Sequence, residues 1–151
     1  MKCQILNERQ FLTMPERIIL TDCDGVLCEW DLGFDKFAQS RELVMLPDAL
    51  RHYSIADRYG ITYDVANSLV NEFNHSDRIA NLTPLADAQE YVKRLTLLGF
   101  KFIVITALSD SPVAKIYRTS NLSNLFGDAI SEIHCIKMNE SKYHALQRWA
   151  G

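Results

Sequence analysis

Arg17-Ile18-Ile19-Leu20-Thr21-Asp22-Cys23-Asp24-Gly25-Val26 is the stretch on which the reading of this chain turns. Residues 17–21 are nearly all apolar or β-branched, the pattern of a buried strand in a parallel sheet rather than a half-solvated one. The run ends on two aspartates that flank a cysteine, with a glycine behind them. In extended chain, residues i and i+2 point the same way, so Asp22 and Asp24 are expected to face one site. Two such carboxylates repel unless a cation neutralises them, and oxygen-only ligation favours Mg²⁺. Gly25 permits a sharp turn and lets the backbone approach an anion. The plainer alternative is a pair of solvated loop aspartates.

Outward from this segment the pattern changes twice. Residues 34–82 read as helical, with no strand signal. Pro47-Asp48 opens a helix that runs to Tyr59 and stops at Gly60. Thr62 caps a second helix whose Val65, Leu69 and Phe73 share one face. Beyond this insertion, helix and strand alternate. Thr83-Pro84 starts a helix striped by Leu85, Ala88, Val92 and Leu95 and closed by Gly99. Residues 102–106 form a strongly apolar strand ending in Thr106-Ala107. Ser111-Pro112 opens a helix carrying Val113, Ile116 and Tyr117, residues 130–136 form a weaker strand, and residues 141–150 form a last helix. This order predicts an α/β domain with a mainly parallel sheet. Ligands in such sheets bind beyond the carboxyl ends of the strands, where Asp22, Asp24 and Thr106 all fall. The Thr106 hydroxyl and the backbone N–H groups that follow, at Ala107, suit a phosphoryl oxygen.

Asp22-Cys23-Asp24-Gly25-Val26 followed by Ile103-Val104-Ile105-Thr106 resembles the first two motifs of the haloacid dehalogenase superfamily, dominated by Mg²⁺-dependent phosphatases. The resemblance implies a Rossmann-like, three-layer α/β/α core at 16–28 and 83–151, with a small helical cap inserted at 29–82. It implies that Asp22 attacks phosphorus and forms an aspartyl-phosphate. Asp24 would protonate the leaving oxygen and then deprotonate the hydrolytic water. The metal would lie on the Asp22 carboxylate and the Asp24 backbone carbonyl. Gly25, Thr106 and Ala107 would hold the substrate phosphate. The third motif is a lysine near the start of the helix after the third strand. Lys137 and Lys142 both fit, and Lys142 is preferred because it opens an amphipathic helix. The substrate class implied is a small phosphate monoester. The Asp-Gly-Val-Leu string and the size of the cap are similar to the 5′-nucleotidase and deoxyribonucleotidase branch, in which Trp30, Phe34, Tyr53 or Tyr63 would stack on a base.

The family's fourth motif, further aspartates after a fourth strand, has no counterpart before Gly151. Asp128, Glu132 and Glu140 are the acids after Gly127, and none follows an apolar strand in the right order. The resemblance therefore runs from about Glu16 to Arg148, with the C-terminal strands of the core missing. The expectations are a first strand at a sheet edge, open to a homodimer or partner chain, and weaker metal binding. The competing reading is a truncated or inactive domain of the same fold that binds a phosphorylated ligand or a protein partner.

The remaining features narrow the field. The chain has 151 residues, 48% hydrophobic and 23% charged, which suits one globular domain and not a disordered segment. It has no run of ~20 apolar residues to cross a membrane and shows no secretory leader. A net charge of −3 argues against holding nucleic acid mainly by charge. Cys3, Cys23, Cys28 and Cys135 make no metal-site or CxxC pattern and read as reduced thiols of a cytoplasmic protein. The flanking aspartates would raise the pKa of Cys23 and disfavour it as a nucleophile. His52, His75, His134 and His144 form no pair at metal spacing. Arg51, Arg58 and Arg78 read as a solvated helix face. Residues 1–15 are left as an arm or an extra strand from Lys2 to Leu6.

Overall fold

A computed structural model describes residues 17–149, so the arm or strand expected at 1–15 lies outside the described residues. The elements are β1 (Arg17–Thr21), α1 (Trp30–Gln39), α2 (Ile55–Tyr59), α3 (Tyr63–Asn74), α4 (Ala88–Leu97), β2 (Phe100–Ala107), α5 (Pro112–Phe126), β3 (Ile130–Ile136) and α6 (Tyr143–Gln147). Short 3-10 turns lie at Ala49–Arg51, Asp77–Asn81 and Gly127–Ala129. The three strands form one parallel sheet in the order β1-β2-β3. The chain is therefore mixed α/β with an open parallel sheet. None of its described helices is long and apolar enough to cross a membrane.

The register aligns Thr21 with Val104 and Thr106 with Cys135. Ile19, Phe102, Val104 and Ile133 consequently share one face of the sheet. These residues join a single apolar cluster with Ala88 and Val92 of α4 and Ala114 and Leu122 of α5. The opposite face carries Ile18, Leu20, Ile103 and Ile105. β2, the central strand, is buried along most of its length. By contrast, β1 is exposed at Arg17 and only half-buried after it, because among the described residues it is an edge strand.

The 29–82 insertion is not a separate packing unit. Phe34, Phe37, Tyr59, Phe73 and Leu82 belong to the same cluster as Phe102 and Val104. Two buried asparagines tie it to the rest of the chain. Asn121 of α5 donates to the carbonyls of Leu82 (2.9 Å) and Ala80 (3.4 Å). Asn74 accepts from Trp30 Nε1 (2.9 Å) and donates to the Leu108 carbonyl (3.4 Å).

Several expected boundaries move for local reasons. The helix expected over 47–59 divides into the 3-10 turn and α2, because the backbone at His52 and Ser54 is extended. Gly60 ends α2 with φ +62°, in the left-handed region that suits glycine. Thr62 caps α3 by accepting from the Val65 N–H, but the buried face runs through Ala66, Phe73 and Asn74, and Val65 is exposed. Thr83 and Pro84 do not start a helix. Thr83 accepts from the Glu29 N–H (2.9 Å), Pro84 bridges to Cys28, and α4 begins at Ala88. The last helix is short, Tyr143–Gln147, and Ala150 lies outside the described residues.

The largest departure is in α5. Val113 (49% exposed) and Ile116 (65%) face solvent, whereas Ala114, Arg118, Asn121 and Leu122 are buried. The inward stripe keeps helical spacing, but two of its members are polar.

Candidate active site at the carboxyl ends of the strands

The loop from Asp22 to Glu29 is wound around a single acceptor. The Cys23 carbonyl takes the N–H groups of Val26 (3.2 Å), Leu27 (2.7 Å) and Cys28 (3.0 Å), while the Gly25 N–H donates to the Cys28 carbonyl (3.0 Å). Gly25 has φ +73°, and no atom lies within 4 Å of where its Cβ would be. Glycine is thus required there by backbone conformation, with open space beside it. Buried Leu27 and Cys28 anchor the far side of the loop.

The two aspartates have separate cationic partners. Asp22 Oδ1 accepts from the Cys23 N–H (2.8 Å), and Asp22 Oδ2 pairs with Lys142 Nζ. Lys137, the other lysine weighed for this role, pairs with Asp110 on the surface (3.3 Å). Asp24 is held by Arg118, whose Nη2 donates to Oδ1 (2.6 Å) and Oδ2 (2.9 Å). Arg118 Nη1 also donates to Cys23 Sγ (2.8 Å). Burial pushes the Asp24 carboxyl above the usual aspartate range, and Arg118 opposes that push. The mutual repulsion that favoured a metal ion between the aspartates is therefore met by two side-chain cations.

Thr106 lies near the end of β2, level with Cys135, on the face it shares with Val104. It is fully buried, and its hydroxyl has no hydrogen-bond partner among the described residues. A substrate oxygen reaches it only if the cover over it moves. Ala107 is half-buried at the last position of β2, opposite Ile136. The parallel pairing of β1 with β2 brings Asp22, Asp24, Gly25, Thr106 and Ala107 to one end of the sheet. Direct contact is made between Lys142 and Asp22.

Among the described residues, no group of three or more Asp, Glu, His or Cys side chains gathers in a metal-holding arrangement. The donors on offer are the Asp22 carboxylate and the Asp24 carbonyl, at which no N–H among the described residues is directed. Mg²⁺ keeps several waters and is commonly held by one or two carboxylates plus substrate phosphate. These two donors fit a loosely held ion of that kind. The Asp24 carboxylate is committed to Arg118.

Other candidates resolve differently. Cys23 is fully buried, and its thiol is pushed strongly upward by its hydrogen bond to Cys28 and by burial, which leaves it unsuited to nucleophilic attack. Phe34 does not offer a base-stacking surface. Trp30 stacks on it at 5.1 Å, and Phe73 and Tyr59 meet it edge-on. Arg58 is buried rather than solvated, paired with Asp31 (2.8 Å) and Asp35 (3.4 Å). His75 Nε2 lies 3.0 Å from Ser109 Oγ, and His52 and His134 pair with Asp48 and Glu132. An apolar groove of about 480 Å³ over Val92, Leu97 and Phe126 lies at the amino ends of β2 and β3, away from the site.

Sequence reading missed Arg118 and Asn121. Their spacing from Ala114 and Leu122 was the available signal, but a search for apolar stripes passes over an arginine.

No family model matches the chain. It is similar to a protein of Enterobacteria phage T4 described as an uncharacterized 32.4 kDa protein in the Gp30-rIII intergenic region. The two are 33% identical over 136 residues, which cover 86% of this chain and 48% of the phage protein. The chain thus spans about half the length of that relative.

Proposed function

We propose that this chain carries the site of a Mg²⁺-dependent hydrolase of small phosphate monoesters, nucleotides included, in a Rossmann-like, cytoplasmic domain of the haloacid dehalogenase type. The observation that carries this reading is the pairing of Lys142 with Asp22, which brings a cation from beyond the third strand to the acid that follows the first. Both lie beyond the carboxyl ends of parallel strands, where α/β sheets bind ligands. In this reading the helical insertion acts as a cap over that end.

An Asp22 carboxylate oxygen attacks phosphorus as the bond to the ester oxygen breaks, giving an aspartyl-phosphate. Asp24 delivers its proton to the leaving oxygen. Water then attacks phosphorus while Asp24 takes back a proton, and release of phosphate restores the Asp22 carboxylate. Lys142 offsets the negative charge that collects on Asp22 and the phosphoryl oxygens. The Asp22 carboxylate and the Asp24 carbonyl would hold Mg²⁺, which when bound would supply further positive charge to the phosphoryl group. The Thr106 hydroxyl, without a hydrogen-bond partner among the described residues, is an available donor to the same oxygens once exposed.

A second reading, a catalytically silent domain that binds a phosphorylated ligand or a partner protein along the β1 edge, rests on one observation. Each aspartate is already neutralised by a side-chain cation. The deciding experiment measures hydrolysis of an aryl phosphate by the full chain with Mg²⁺, with EDTA, and with Asp22→Asn. The hydrolase reading requires turnover that EDTA and Asp22→Asn both abolish. Equal background rates from folded protein in all three would leave the silent domain.

A further inference from the structure

The side chain most at odds with its surroundings is Arg118. It is fully buried on α5, while Val113 and Ile116 of the same helix stand in solvent. Removing a guanidinium from water costs several kcal/mol, and an aliphatic residue would fill such a position without that penalty. Packing therefore does not account for the arginine. Its bonds converge on two consecutive residues of the loop after β1. Nη2 grips both oxygens of Asp24, and Nη1 meets Cys23 Sγ. The Asp24 side chain remains 24% exposed, so the carboxylate is fixed from the buried side and open on the other.

We propose that Arg118 is a positioning residue that holds the Asp24 carboxylate in its working orientation toward the leaving-group oxygen, an assignment that rests on the hydrolase reading above. Cys23 Sγ gives the guanidinium a second anchor, which resists rotation about the Arg118–Asp24 contact. A proton donor is effective only within hydrogen-bond reach of the oxygen it serves. Displacement by about 1 Å costs on the order of a hundredfold in rate. Arg118 itself touches no reacting atom.

Leaving-group dependence separates this role from general support of the fold. An alkyl phosphate needs its leaving oxygen protonated, whereas a 2,4-dinitrophenyl phosphate does not. In the full chain with Mg²⁺, Arg118→Met should lower kcat/KM on the alkyl ester by about a hundredfold. It should leave kcat/KM on the dinitrophenyl ester, which reports only the steps through aspartyl-phosphate formation, nearly unchanged. Equal losses of kcat/KM on both esters, or no loss on either, overturns the proposal. Arg118→Lys, which keeps the charge but not the fork, is the second variant should the methionine form not fold, and the same pattern is expected of it. Crystal structures of the wild type and the folded variant give a readout independent of turnover. The Asp24 carboxylate should leave its wild-type rotamer while the β1 loop backbone stays in place, and an unmoved carboxylate overturns the proposal. A wild type inactive on both esters ends the hydrolase reading, and the crystallographic comparison then decides by itself whether Arg118 orients Asp24.

Discussion

Lys142 Nζ pairs with Asp22 Oδ2 across 120 residues of sequence, joining the approach to α6 to the loop that follows β1. Both side chains keep access to solvent, at 29% and 40% exposure. Exposed ion pairs of this kind contribute roughly 0–1 kcal/mol to stability. The pair thus does little to hold the fold.

Lys142→Ala should therefore separate the two roles. Turnover of a phosphate ester should fall by about a hundredfold, while the urea midpoint shifts by no more than the equivalent of about 1 kcal/mol. A large loss of stability with proportionate loss of activity would assign the lysine to the fold.

Asn121 is expected to behave in the opposite way. It donates to the Leu82 and Ala80 carbonyls and accepts from Cys28 Sγ (3.3 Å), so it joins α5 to the insertion and to the β1 loop. Asn121→Ala strands these buried groups and should cost roughly 2 kcal/mol. Urea unfolding at constant m-value checks this, and a change of a few tenths would mean that water replaces the side chain.

Gly33, in α1, is held by space. A Cβ there would come 2.3 Å from Leu82 Cδ2 and 3.2 Å from Phe73 Cζ, both in the buried cluster. Alanine improves intrinsic helix propensity by about 1 kcal/mol, but overpacking a filled core costs about 1–3 kcal/mol. Gly33→Ala should be destabilising, and trimming the clash with Leu82→Val should recover part of the loss. Thermal melts of the two variants test this, and a rise in Tm for the single variant would show that Leu82 repacks freely.

Tyr59 should give a distinct alkaline signature. Burial, and then its hydrogen bond to Asp35 Oδ1 (2.7 Å), push the phenol above its ordinary range. Above pH ~10 the unfolded chain loses this proton first while the folded chain keeps it, so stability falls as pH rises from there. Tyr59→Phe removes the difference. Its stability should decline less steeply than that of the wild type above pH ~10 and follow the same course below it. Parallel curves throughout would show that Tyr59 ionises alike in both states.

The sequence by itself determined the strands and the acids. Arg17–Thr21 is read to the residue and the central strand only gains Phe100, Lys101 and Ala107, because consecutive apolar and β-branched residues favour a buried strand; Ile130–Ile136 is also read to the residue although Ser131, Glu132 and His134 interrupt it. Asp22 and Asp24 follow from the end of the first of these runs. What grips Asp24 and joins the insertion to α5 was decided only by tertiary structure. Arg118 and Asn121 lie about a hundred residues from the acids, and ordinary propensity treats each as a surface residue, whereas Lys142 is singled out in the sequence only through the family resemblance. Whether such a side chain is solvated or buried depends on the partner waiting for it, and here the partners are Asp24, the Leu82 carbonyl and Asp22. Periodicity reports which positions of a helix point inward. The decision to place a charge at one of them is made by a hydrogen bond from another part of the chain, and local sequence holds no record of it.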